Sequence, residues 1–183
     1  MDSYLASIKK QFQYYRLLGE NTFDQLSFEE LKNEISEDSN SIAIIVKHLG
    51  GNMLSRWTNF LTEDGEKEWR NRDLEFHDTI ETKEELIKFW NSGWTCLFDA
   101  INSLDKNNLE KIIFIRNQGH TVTEAINRQL AHYAYHVGQI VFLGKVIKGK
   151  YWKSLSIPKG DSKKYNEEKF SEIKGRRHFT DDI

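Results

Sequence analysis

The residues with the strongest claim to chemistry are His132 and His136, in the stretch Arg-Gln-Leu-Ala-His-Tyr-Ala-Tyr-His-Val-Gly-Gln-Ile that runs from Arg128 to Ile140. In a helix, that spacing sends both imidazoles off one face, one turn apart, where they can grip a single ion. Taken alone, the spacing equally suits two partly buried histidines satisfied by hydrogen bonds. Its surroundings add weight, because Gln129, Tyr135 and Gln139 share the same polar face and Arg128 stands at its edge.

A metal site inside a helical bundle takes further ligands from a facing helix. His48 is the candidate. On its face, three, four and seven positions further on, stand Gly51, Asn52 and Ser55. These are small or polar where a plain core would carry large apolar groups. Three imidazoles plus water make an open site of the catalytic type, suited to Zn²⁺ and compatible with Ni²⁺ or Fe²⁺. An ion held there would acidify water, activate a thiol or polarise a carbonyl.

Arg72, Asp73 and Glu75, in a charged connecting segment, are candidates to reach the mouth of such a site, Asp73 and Glu75 for catalysis and Arg72 for substrate binding. Asn52, Arg128 and Gln139 are further binding candidates, Arg128 toward an anionic group; Gln129, Gln139 and Tyr135 could also hold the outer ring nitrogens of the ligands. The plain alternative for 72–75 is an exposed, salt-bridged loop. His77, His120 and His178 fall in polar connections or the tail and are expected to be solvated. With no Glu-x-x-His pair in the chain, a di-iron carboxylate centre is disfavoured.

The elements that would position these groups read as helices. Tyr4, Ile8, Phe12, Tyr15 and Leu18 recur at helical spacing, with Gly19 as the expected stop. Ser27 to Glu30 matches a capping box. A second long helix is expected from about 41 to 61, carrying Ile42, Ile45, Val46, Leu49, Met53, Trp57 and Phe60 on one stripe. Residues 62–79 then read as a long solvated connection that Trp69 and Phe76 could pin to the body. Thr82 to Glu85 matches another capping box and opens a helix to about Leu104; Thr121 to Glu124 matches a third and opens the histidine helix, which should end near Lys148. Ile112 to Ile115 suggests a brief extended segment. Beyond Gly149 the chain turns irregular, with Tyr151, Trp152 and Pro158 suggesting an extended stretch packed over the bundle before a charged tail.

The sum is one all-α domain over residues 1–183, with about 150–183 irregular. Its 183 residues, 38% hydrophobic, suffice for one core. A net charge of −2 with interspersed signs gives no footprint for nucleic acid. No apolar run is long enough to cross a bilayer, and the N-terminus lacks a signal-peptide pattern, so a cytoplasmic location is expected. The lone Cys96, between Trp94 and Phe98, reads as a small core hydrophobe.

The segments Val46-Lys-His48-Leu-Gly-Gly-Asn52, Asp64 to Phe76, Arg128 to Gln139 and Ser154 to Gly160 together resemble the DinB/YfiT-like superfamily of metal-binding four-helix bundles, most closely an uncharacterised bacterial branch. The resemblance implies an antiparallel bundle with a long crossover connection and one divalent ion at one end, held by residues that fall on His48, His132 and His136. It further implies a frequent homodimer. Relatives include transferases and isomerases that use the low-molecular-weight thiols bacillithiol or mycothiol. The expectation is a metal-dependent enzyme acting on a small molecule, a thiol S-transferase or a hydrolase. The alternatives are a non-enzymatic, metal-stabilised bundle that binds a ligand or partner, and a bundle with ordinary core histidines.

Overall fold

The computed structural model describes residues 2–181. Four long helices build the body: α1 (Asp2–Phe23), α3 (Ile42–Trp57), α4 (Lys83–Asn102) and α5 (Val122–Lys148), with a single turn α2 (Phe28–Leu31) between the first two. Their apolar stripes meet in one core. Phe12, Leu49, Met53, Trp90, Trp94 and Tyr133 are fully buried in it.

Contacts between the helices fix the topology. Gly19 meets Trp90 while Arg16 bonds Asn91, so α1 and α4 run antiparallel. Tyr4 bonds Asn127 and Thr22 lies against Gly144, so α1 and α5 run parallel. Gly50 packs on Phe89 and Thr58 on Cys96, which makes α3 and α4 parallel too. Parallel neighbours cannot be joined by a tight turn, and the chain needs residues 58–82 to return along the bundle. That crossover is the long connection expected from the sequence.

Helix ends follow local chemistry. Ser27 and Thr121 each form a complete capping box, with Glu30 and Glu124. Thr82 forms half of one: its hydroxyl accepts from the Glu85 amide, but the Glu85 carboxylate takes the Glu81 amide instead of that of Thr82. Gly19 does not stop α1, which runs on to Phe23. A Cβ at Gly19 would stand 2.4 Å from the Trp90 ring; the glycine admits a buried indole and does not end the helix. Helix α3 stops at Trp57, with Asn59 at positive φ in the turn that follows, although Phe60 still packs in the core.

The apolar run Ile112–Ile115 is a strand, β1, buried at Ile113 and Ile115 and exposed at Ile112 and Phe114. It pairs antiparallel with β2 (Gln118–Thr121), a partner without strand-like composition. Arg116 and Asn117 turn the hairpin at φ 55° and 59°, as a two-residue primed turn requires. The Asp64 carboxylate accepts both of their amides at 2.8 Å, and the Gly65 amide donates to the Phe114 carbonyl. The crossover and the hairpin are therefore clasped together.

The C-terminal segment is irregular apart from a short exposed helix, α6 (Ser162–Ser171), that the sequence pattern did not announce. Trp152 packs on Gly144, and Lys153 exchanges two hydrogen bonds with the Gln25 side chain, while Tyr151 stays exposed. The end returns to α1, with Phe179 edge-on to Tyr14 and Asp181 paired to Lys10. Among the described residues no helix is long and apolar enough to cross a membrane.

Candidate metal centre

His48, His132 and His136 converge between α3 and α5, with one ligand atom from each within 4.8 Å of the others. The rings meet edge to face, with centroids 4.7 Å apart for His132 and His136 and 4.9 Å for His48 and His136. Tetrahedral zinc with nitrogen ligands at about 2.0–2.1 Å needs the nitrogens roughly 3.4 Å apart. A tetrahedral ion would draw the three rings closer together than they stand. The histidines stand near the middle of their helices, so the cluster lies on the α3/α5 flank and not at the bundle's end, where the resemblance led us to expect it.

Two of the three ligands are oriented from behind. The buried Glu75 carboxylate lies 2.9 Å from His48 Nδ1. Both its oxygens also accept from Arg70, at 2.7 Å from Nε and 2.9 Å from Nη2. An ionised, acceptor-only carboxylate makes Nδ1 the donor and leaves the Nε2 lone pair for the ion. Burial pushes the Glu75 carboxyl upward, but the hydrogen bonds from His48 and Arg70 outweigh it and hold it below the usual range. Gln139 does the same for His136, whose Nδ1 lies 2.9 Å from the amide oxygen.

Burial, reinforced by the neighbouring rings, lowers His132 to about 3 and His136 to about 4. Both are neutral at physiological pH, the form that binds metal.

The crossover delivers this support. Ser55 accepts from the Lys67 amide and donates to the Gly65 carbonyl, which also receives Arg56. A 3₁₀ turn at Asp73–Phe76 then brings Glu75 beside His48 and stacks Phe76 on its ring at 5.0 Å, with Arg72 over the Phe76 ring. Phe76 pins the loop as expected. Trp69, 61% exposed, does not. A Cβ on Gly51 would stand 2.3 Å from Glu75 Oε1; the room beside His48 exists for this carboxylate.

A cavity of about 450 Å³ opens over the histidines. Asn52, Arg72 and Arg128, proposed from sequence as binding residues, line it. Gln139 does not line it and sits behind His136. Asp73 is exposed and outside the lining, and Glu75 is occupied by His48 and Arg70. Sequence reasoning missed Arg56, Arg70 and Arg116, which also face the cavity. Arg56 had a signal, since it follows His48 and Asn52 at intervals of four on a buried helix; Arg70 and Arg116 sit on the crossover and hairpin, where no periodicity marks them.

Tyr133 crosses the core below, donating to Asn52 Oδ1 and accepting from Trp57. Elsewhere, His77 is exposed, His120 and His178 are half-buried, and Cys96 is half-buried against Thr58 with its thiol pushed up by burial.

A helical bundle whose crossover braces three convergent histidines is of the DinB/YfiT-like class. A family model described as a protein of unknown function (DUF1572), itself a DinB/YfiT-like family, matches residues 1–161, and the chain belongs to that family. Neither the curated proteins nor the solved structures hold a match to the chain.

Proposed function

We propose that this protein is a divalent-metal-dependent enzyme acting on a small molecule, with His48, His132 and His136 as the protein ligands and the cavity as the substrate site. The observation that carries the reading is the convergence of three ligand atoms within 4.8 Å. The donor set fits a borderline ion such as zinc, nickel or iron(II), being three imidazoles with two outer nitrogens already engaged. A bound ion would supply Lewis acidity and lower the pKa of a water or thiol nucleophile.

The chain's own residues do the rest. Glu75 and Gln139 hold ring orientation, Phe76 and Tyr133 exclude water around the ligands, and Arg72, Arg128 and Asn52 orient the substrate. The two reactions that suit this arrangement are thiol S-transfer, with a low-molecular-weight thiol as co-substrate, and hydrolysis. A homodimer and a cytoplasmic setting complete the proposal.

One observation favours a second reading, a metal-stabilised bundle that binds a ligand without turning it over: among the described residues no carboxylate lines the cavity, so they offer no free acid or base of that type beside the ion. The test is a screen of metal-loaded protein against thiol cofactors with electrophiles, and against ester and amide substrates, with the triple-histidine alanine variant as control. Turnover lost in the variant supports the enzyme. A protein that binds and is stabilised by the ion but turns over neither substrate class is the ligand-binding bundle.

A further inference from the structure

The cavity above the histidines carries an unbalanced positive charge. Arg56, Arg70, Arg72, Arg116 and Arg128 all line it. Among the described residues only two carboxylates pair with these five guanidiniums: Glu75 takes Arg70, and Glu66 is shared by Arg56, Arg70 and Arg116. Arg72 has only the Phe76 ring, 5.0 Å away, and Arg128 only His120 Nε2, at 3.5 Å. Neither has an acidic partner among the described residues.

Two buried polar atoms of the lining are also unsatisfied. Arg56 and Gln129 are 6% and 2% exposed, yet Arg56 Nε and Gln129 Oε1 have no hydrogen-bond partner among the described residues. Buried polar groups without partners are unfavourable, and crowded like charges repel. A cavity with this surplus of positive charge is completed by a ligand that is multiply anionic.

We infer that the cavity binds a phosphorylated small molecule, a phosphate monoester or diphosphate. Its phosphoryl oxygens lie on Arg72, Arg116 and Arg128. Guanidinium forks match phosphoryl oxygens in bidentate geometry, and a single carboxylate would neutralise only one of the surplus charges. A volume of about 450 Å³ lies in the range of small-ligand sites. That this ligand is the substrate rests on the metal-dependent reading; the anion site itself stands on the arginines alone.

The test uses the full chain stripped of metal, titrated calorimetrically with inorganic pyrophosphate and, in parallel, with malonate. The expected result is one pyrophosphate per chain, bound at least tenfold more tightly than malonate. The Arg72→Ala/Arg128→Ala variant, altered at two exposed positions and checked for an unchanged melting curve, should lose at least tenfold in pyrophosphate affinity. Arg116→Ala, also at an exposed side chain, provides a second variant with the same expected direction. Absence of pyrophosphate binding, equal binding by the arginine variants, or malonate bound as tightly would each overturn the inference. Because the ion is absent throughout, failure here is distinct from failure of the metal reading, which is read from metal content without anion.

Discussion

At the scale of single residues, the account turns on how His48 is held. Among the described residues Glu75 is the only acidic side chain bonded to a candidate ligand, and removing such a partner typically costs 10–100-fold in metal affinity. Glu75→Ala should therefore weaken the ion by about that factor, measured by competition with a chromophoric chelator; unchanged affinity would contradict the role. Gly51→Ala should move affinity in the same direction, since its Cβ would occupy the space of Glu75 Oε1.

A pH effect follows from the other two ligands. His132 and His136 take up protons at about 3 and about 4 when folded, but near 6.5 when unfolded. Between those limits the unfolded chain binds more protons, so stability of the metal-free protein rises with pH across that window and falls on acidification. Its melting temperature should drop between pH 7.5 and pH 5, and His132→Ala/His136→Ala should flatten that drop; a wild-type profile with no drop would contradict it.

The pair His132 and His136 was legible, because spacing on a helix dictates which side chains share a face; His48, on another helix, was reached through its small neighbours and the family resemblance. The partner of His48 was half legible. The small Gly51 signalled room, and Glu75 was a candidate to approach, but its place behind the ligand comes from a loop 27 residues away in sequence, beyond any helical period.

At the scale of elements, the helices were readable because each buries one stripe at helical spacing, as Leu86, Trp90, Leu97 and Ile101 do on α4. The misread boundary at Gly19 has a packing cause. Sequence alone cannot distinguish a glycine that ends a helix from one that admits a neighbouring indole, and Gly19→Ala should cost about 1–3 kcal/mol by overpacking against Trp90, measured by denaturant unfolding. An undiminished midpoint would mean that Trp90 yields at no cost.

The crossover was legible as a long connection and Ile112–Ile115 as an extended segment, but how the two are held together was not, for a different reason. Their order comes from side chains gripping backbone, chiefly Asp64 on the Arg116 and Asn117 amides. Those amides sit at positive φ, which residues other than glycine adopt at a cost, so the clasp maintains a turn that would otherwise relax. Asp64→Ala should loosen the hairpin and crossover together, with faster amide exchange at 64–67 and 114–118. Exchange confined to one of the two segments would show that they are not coupled.

At the scale of the molecule, the net charge of −2 conceals the cavity, since acidic side chains spread over the surface cancel the arginines that converge on the histidines. Global balance says nothing about a local concentration of charge. The same scale decides the central claim. A ligand that binds only the folded state stabilises it by RT ln(1 + [L]/Kd), about 4 kcal/mol at a thousandfold excess over Kd, so zinc or nickel should raise the melting temperature and chelator should reverse it. The most direct measurement is metal content by elemental analysis of carefully reloaded protein: one divalent ion per chain in the wild type and none in His132→Ala/His136→Ala. A wild-type protein that retains no ion, or a variant that retains one, would contradict the account.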